Sequence, residues 1–362
     1  MRDPAFFSGV VLGTVVSVIP AAPGPLLPRS QGTDSSRRLA RRLAVASVLG
    51  LVAATVCYVV MVRTALGQRF DNAAYLGARE QLGSVSASDA GALREITADS
   101  FAAVLGVLVI LGALRRRIVL GLAAALAAGV AVVVTHFLKV DILTRPLLTV
   151  RVFTVQNTFP SGHTATAVAC AMAVVLLSPP RWRGWAGVVA GAYGWITAAQ
   201  VQTAGWHRPS DAIGAAFVAF ASITAVAAVL AWSRPVSRQG SGRHRVALGV
   251  LGLVGLGALA VLARGLSNVL GYLRGHDLGV TASGVGLRHD AYITGLALTV
   301  EVVVVLLMIL LALLGPADLG ARRSAGAERT EAIADPPFAG PSSLLQRAQS
   351  QWRAARMTLH RS

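Results

Sequence analysis

Charge is scarce in this chain. Of 362 residues only 14% are charged, and a single lysine, Lys139, stands among 33 basic residues. A soluble domain is about one quarter charged, so an ordinary soluble enzyme is excluded. Cysteine is nearly absent too. Cys57 and Cys170 each sit inside an apolar run without Cys-x-x-Cys spacing, which leaves them as packing residues and excludes a disulfide scaffold or a zinc site. Aromatics make up 6% of the chain and do not interleave with its basic residues, so the net charge of +17 does not point to nucleic acid. What the chain has in excess is hydrocarbon: 54% of its residues are hydrophobic and the mean hydropathy is +0.63. Such a chain hides its surface in lipid or in a core, which excludes disorder over most of its length.

A membrane-crossing helix needs about 20 apolar residues. Eight stretches meet or approach that length: Leu43–Val62, Ile96–Leu114, Ile118–Leu138, Thr164–Ser178, Trp185–Ala204, Ala212–Trp232, Val246–Leu262 and Tyr292–Leu314. A ninth apolar segment, Ala5–Ile19, reads as a span or re-entrant piece rather than a cleaved signal, because cleavage would leave the basic run 29–42 to be translocated. Placing the connecting segments alternately on two sides puts 21 arginines and 5 acidic residues on one side (28–42, 115–117, 179–184, 233–245 and 315–362). The other side (63–95, 139–163, 205–211 and 264–290, with Asp99 counted in it) carries 11 basic and 9 acidic residues. Basic excess marks the cytoplasm. Membrane orientation therefore accounts for the net charge, and the bilayer is the expected partner. Trp182, Trp185 and Trp232 fall at the basic face and Trp206 at the other, where interfacial aromatics belong.

The chain accordingly divides into an N-terminal apolar segment with a basic loop (1–42), a six-span core (43–232), two further spans (233–315) and a basic, mostly disordered cytoplasmic tail (316–362). In the tail Leu345, Ala348, Trp352 and Ala355 share one helical face.

Three polar clusters interrupt the apolar pattern, and the arginine count places all three on the outer side. Lys139 ends the third span and is followed by Arg145-Pro146. Phe159-Pro160-Ser161-Gly162-His163-Thr164 opens the fourth span. There proline and glycine turn the chain, Ser161 offers a hydroxyl, and free N–H groups at a helix start meet an anion. Gly205-Trp206-His207-Arg208-Pro209-Ser210-Asp211 precedes the sixth span. With Pro209 in the first turn, His207 and Asp211 are four apart on one helix. A carboxylate so placed fixes the imidazole tautomer and stabilises its charged form.

These residues resemble the type 2 phosphatidic acid phosphatase family of integral membrane lipid phosphatases, whose pattern is Lys-x6-Arg-Pro, then Pro-Ser-Gly-His, then Ser-Arg-x5-His-x3-Asp. The second motif is complete at Pro160-Ser161-Gly162-His163, and half of the third is present at His207 and Asp211. Two departures stand out. Five residues rather than six separate Lys139 from Arg145, and Gln200-Val201 replaces the Ser-Arg pair.

The resemblance implies an all-α polytopic membrane helix bundle with a six-helix phosphatase core over about 43–232, to which the apolar pattern adds two C-terminal spans and, on the span reading of Ala5–Ile19, an N-terminal one. It implies a cell-membrane phosphatase, its site on the extracytoplasmic side, hydrolysing a phosphomonoester or diphosphate of a lipid: phosphatidate, a phosphatidylglycerol phosphate, or a polyprenyl phosphate or diphosphate. His207 would attack phosphorus to form a phosphohistidine, oriented by Asp211. His163 would protonate the leaving group and then activate water. Lys139, Arg145, Ser161 and the backbone of Gly162 would hold the non-bridging oxygens. No cofactor and no metal are required, and the two acidic residues expected near the site, Asp141 and Asp211, are too few for a carboxylate-bridged metal pair.

Two alternatives stay open: a same-fold phosphotransferase, which would use the same histidines with an alcohol in place of water, and, because the arginine is missing at position 201, a catalytically weakened lipid-phosphate binder. Gln200, Gln202, Arg151 and Arg208 are the candidates to replace it. A transporter is disfavoured by the few intramembrane ionisable groups, of which Glu301 is the clearest. The outer segments 63–95 and 264–290, with His276-Asp277 and His289-Asp290, read as solvated loops, with a lid as the alternative. No oligomeric state follows from the sequence.

Overall fold

The computed structural model describes residues 30–81, 89–149, 152, 157–234, 236–238, 243–273 and 284–320. The segment Ala5–Ile19, Arg151, the pair His276-Asp277 and the tail face from Leu345 to Ala355 lie outside the described residues.

The chain runs through α1 (Ser30–Cys57), which ends in a π turn (Tyr58–Val62), then α2 (Ala65–Gln81), α3 (Asp89–Arg94) and α4 (Ala98–Leu114). Next come α5 (Ile118–Phe137) with its own π turn (Leu138–Ile142), α6 (Gly162–Leu177), α7 (Pro180–Thr203) and α8 (Pro209–Ser233). It closes with α9 (Arg243–Leu273) and α10 (Val285–Leu314). Local chemistry sets many of the boundaries. Thr97 Oγ1 accepts from the Ser100 N–H while Ser100 Oγ accepts from the Thr97 N–H, a reciprocal cap that starts α4. Pro180 and Pro209 open α7 and α8, where the absent N–H has no intrahelical partner to lose.

Each of the eight expected spans falls on a helix. Those over Asp34–Val62, Ile118–Ile142, Pro209–Ser233, Arg245–Leu266 and Val285–Leu314 are long and apolar enough to cross a bilayer, and Ala98–Leu114 and Gly162–Leu177 are shorter apolar helices. The protein is a multi-pass membrane helix bundle.

Its centre is α8. In the most apolar window of α8, 78% is buried, against 22% for α9. Small residues let the neighbouring helices approach it: Ala128 and Ala131 of α5, Ala169 and Ala173 of α6, and Ala216 and Ala219 of α8 share one core. Leu307, Leu310 and Leu311 of α10 belong to the same core. Val48 and Leu49 of α1, Leu122 and Leu126 of α5, and Leu253 and Leu256 of α9 face outward, which is the surface that lipid covers.

The part of 63–95 that forms α2 is not the solvated loop that its polarity suggested. This helix is largely buried: Phe70, Ala73 and Ala74 pack against Ala291 of α10, and Glu80 accepts an ion pair from Arg288 at 2.6 Å. Small residues on α2 allow this close packing, while its charged residues lower the average hydropathy that a sequence scan reads. His289 and Asp290 are exposed in the opening turns of α10. Glu301 of α10 faces Gly255 of α9, whose missing side chain leaves room for the carboxylate.

At the basic face, β1 (Ser237–Arg238) pairs antiparallel with β2 (Ala317–Asp318). Arg117 grips Asp318 with two bonds of 2.7 Å. The fully buried Arg183 donates to the carbonyls of Gly315 (2.9 Å), Ala317 (2.8 Å) and Ser178 (3.1 Å).

Candidate active site

The site is assembled at the opposite end, where the segment before α6 is laid across the first turn of α8. Asn157 begins the crossing. Its Nδ2 donates to the carbonyls of Lys139 (3.0 Å) and Leu143 (2.8 Å), which ties the segment to the end of α5. Thr158 Oγ1 donates to Asp211 Oδ2 at 2.6 Å. Phe159, joined to Pro160 by a cis peptide bond, lies directly over Gly214. A Cβ at Gly214 would stand 2.3 Å from the ring, so only glycine admits this approach. The Ser161 N–H donates to the Asp211 carbonyl at 2.9 Å, and Ser161 Oγ accepts from the Thr164 N–H at 3.3 Å, making Ser161 the N-cap of α6. Beside it, a Cβ on Gly162 would meet open space, so the first turn of α6 has room at its side.

The second half of the site comes from the end of α7. Gly205 adopts a φ of +63°. Its N–H donates to the Gln202 carbonyl (2.9 Å) and the Trp206 N–H to the Val201 carbonyl (3.0 Å), the pairing of a Schellman motif. The apolar contact that accompanies this motif is present between Val201 and Trp206, in a cluster with Leu93 and Ala212. The carbonyl of Val201 thus closes the last turn of α7, whose C-cap is Ala204, and the turn delivers Trp206 and His207 to the start of α8. The His207 N–H also bonds the Val201 carbonyl, at 3.1 Å.

Asp211 is the hub. Its Oδ2 accepts from His207 Nδ1 (3.2 Å), the Arg208 N–H (3.0 Å) and Thr158 Oγ1 (2.6 Å), and its Oδ1 lies 3.5 Å from Arg145 Nη2. With Nδ1 committed as a donor to the carboxylate, the lone pair of His207 is on Nε2. His163 stacks edge-on against Trp206, with ring centroids 5.3 Å apart, and lies within electrostatic range of both His207 and Lys139. Two imidazoles and the lone ammonium group therefore share one neighbourhood.

Arg145 takes a different direction from Lys139. Its Nη2 donates to Asp71 Oδ2 (3.0 Å) and Ser210 Oγ (3.2 Å), and its side chain is 4% exposed. Arg145 is buried in ion pairs with Asp71 and Asp211, and among the described residues Lys139 is a cation within electrostatic range of His163. Burial works against the Arg145 charge, yet Asp71 and Asp211 more than offset it and hold the guanidinium above its ordinary range. Burial pushes the Asp71 carboxyl up, against the pull of Arg145 and with the repulsion of Asp211. Arg208 shifts downward, through burial and the like charge of Arg145.

The candidates to replace the motif's arginine separate clearly. Arg208 belongs to the cluster: Nε donates to Asn72 Oδ1 (3.2 Å), Nη1 to Thr158 Oγ1 (3.2 Å), and the guanidinium lies 5.9 Å over the Tyr75 ring. Gln202 turns away, donating to Thr299 Oγ1 of α10 at 2.8 Å. Asp141 is exposed on the π turn after α5.

Sequence reasoning missed the wall that α2 supplies. Asp71 also accepts from the Ser210 N–H (3.2 Å) and hydroxyl, Asn72 Nδ2 donates to Thr149 Oγ1 (2.9 Å), and Gln68 Nε2 donates to the Pro146 carbonyl (2.6 Å). The signal was present, since Gln68, Asp71, Asn72 and Tyr75 recur at i, i+3, i+4 and i+7, a polar stripe along one helix face.

No curated protein and no solved structure matches the chain. A family model does match: residues 119–235, which run from the start of α5 to just past α8 and so hold all three polar clusters, are similar to the PAP2 superfamily.

Proposed function

We propose that the protein is a metal-independent hydrolase of lipid phosphates that works through a phosphohistidine. The superfamily match over 119–235 supports phosphatase-type phosphoryl transfer. The observation that carries the finer reading is the His207–Asp211 pair at 3.2 Å with His163 and Lys139 in range. His207 Nε2 attacks phosphorus as the bond to the alkoxide or phosphate leaving group breaks, and His163 gives that oxygen a proton. His163 then takes a proton from water, whose oxygen attacks the phosphohistidine and releases inorganic phosphate and free His207. Asp211 orients the ring and stabilises the imidazolium that attack creates. Lys139 and the N–H groups at the start of α6 meet the non-bridging oxygens, with the Ser161 hydroxyl hydrogen beside them. Arg145 and Arg208 act through Asp211, holding the carboxylate in place.

Three considerations support the lipid, metal-free and extracytoplasmic parts. The site lies at the ends of apolar helices, so a lipid can keep its chains in the bilayer while its phosphate reaches the histidines. Among the described residues no three His, Cys, Asp or Glu side chains converge as a ligand set. The basic excess of the connecting segments at the opposite end supports an extracytoplasmic site.

The test is phosphate release from a panel of lipid phosphates by detergent-purified protein in excess chelator. Wild type releases phosphate and traps an acid-labile phosphoprotein, and His207→Ala does neither. Turnover that survives in His207→Ala, or that is abolished by chelator, rejects the mechanism. The fully buried Val201, where the family pattern has arginine, favours one second reading, a lipid-phosphate binder without turnover. Binding with no phosphate release from any lipid of the panel is its signature.

A further inference from the structure

A cavity of about 640 Å³ opens between α4, α6 and α7, within the range of about 300–1,000 Å³ typical of small-molecule sites. Thr166, Cys170 and Val174 form its α6 wall, facing Val104 of α4 and Val189 and Tyr193 of α7. The α6 wall is a single helical stripe, and the residue that continues it upward is His163, at i−3 from Thr166 and i−7 from Cys170. The cavity therefore begins one turn beneath a candidate catalytic imidazole. Thr166 Oγ1 donates back to the Gly162 carbonyl at 3.0 Å, so its hydroxyl is satisfied within the helix. Below Thr166 the α6 wall is thiol and hydrocarbon. The polar lining residues Glu95 and Ser100 lie just before and at the start of α4.

Thr166 and Val174 are eight residues apart, which is about 12 Å along the helix axis at 1.5 Å per residue. Counted from the outer end of α6, the cavity therefore reaches to about the middle of a bilayer whose hydrocarbon core is about 30 Å thick. It opens sideways as well, because Val104, Val189 and Tyr193 are also exposed on the bundle's outer surface.

We propose that this cavity is the seat of one hydrocarbon chain of the lipid phosphate, entered laterally from the outer leaflet; the proposal rests on the lipid-phosphate reading above. An apolar chain gains little transfer free energy on leaving lipid for protein, since lipid tails are as apolar as leucine. The cavity therefore does not serve as a hydrophobic sink. It fixes the direction of the chain, and through the stripe shared with His163 it sets where the attached phosphate comes to rest. Chains too short to fill it lose that guidance. The outer wall, α4, lies before the residues matched by the superfamily model, so the cavity joins that stretch to a helix outside it.

The experiment uses the full-length protein in detergent with hexadecyl phosphate carrying a diazirine at mid-chain, irradiated and mapped by proteolysis and mass spectrometry, with phosphate release measured on the same preparation. Adducts are expected in 166–174 and 186–193. They should be displaced by unlabelled hexadecyl phosphate and not by hexadecanol, which would occupy the cavity as any bulk lipid does. Adducts spread evenly over the lipid-facing helices, or displaced equally by hexadecanol, overturn the proposal. Phosphate release without adducts in the cavity overturns the chain site and leaves the hydrolase standing; displaceable adducts in the cavity without release do the reverse. Ala190→Phe, which fills the cavity from α7, is expected to lower kcat/KM for hexadecyl phosphate at least tenfold and for hexyl phosphate by less than twofold. Leu126→Trp on the lipid face of α5 should change neither. Equal losses on both chain lengths in Ala190→Phe count against chain selection.

Discussion

Replacing Asp211 by asparagine removes one charge at the point where four partners meet. The amide oxygen can take the place of Oδ2 and keep the donors from His207, the Arg208 N–H and Thr158, while the NH2 group is forced towards Arg145, 3.5 Å from the present Oδ1. Two costs follow. His207 loses an ionised acceptor just when it becomes a cation: unit charges about 4 Å apart attract by about 4 kcal/mol at an effective dielectric of about 20. Part of that attraction is already present before attack, as polarisation of the neutral ring, so about 3 kcal/mol falls on the transition state. At about 1.4 kcal/mol per tenfold this lowers kcat roughly 10²-fold, with KM little changed. Stability also falls, because Arg145 loses one of its two carboxylates; about 3 kcal/mol, the low end for breaking a buried ion pair, is the expected loss. Phosphate release and thermal unfolding of the purified variant measure the two separately. A folded variant with kcat within about fivefold of wild type refutes the orienting role of the carboxylate.

Two further outcomes follow from packing. Gly214→Ala places a methyl group against the Phe159 ring and should cost about 1–3 kcal/mol by overpacking; thermal unfolding measures it, and Phe159→Leu in the same chain should recover most of the loss. Val201→Arg, which restores the family pattern at that position, sets a charge within the apolar cluster of Leu93, Ala212 and Trp206. A loss of several kcal/mol, read as a lower melting temperature, and no rise in turnover are expected; increased phosphate release from a protein of unchanged stability would show that the arginine finds the site after all.

The spans and the His207–Asp211 pair were legible because each depends on residues close in sequence. Apolar length marks a membrane helix, Pro209 marks the first turn of α8, and spacing of four brings a histidine and an aspartate together. The clusters at 160–163 and 205–211 could be assigned to one face because arginine counting orders every connecting segment at once. The direction of Arg145 was not legible. Its partner Asp71 is 74 residues away, and nothing local to Arg145-Pro146 distinguishes a cation facing a ligand from one buried between two carboxylates. Val201 looked like a loss when set beside the family pattern; the Schellman turn shows it filling a structural post at the end of α7. The burial of α2 was hidden because a helix that packs through glycine and alanine while carrying a polar stripe has the average composition of a loop.

The bond between Arg145 and Asp71 spans a border, for the arginine lies within the stretch matched to the superfamily and the aspartate lies outside it. Excising 119–235 as a minimal unit would carry the cation away with Asp211 but without its nearer counter-ion. Transplanting the stretch into another scaffold would do the same. Either piece of engineering has to bring the helix over Ala65–Gln81 along with it, or supply a replacement carboxylate from a new direction.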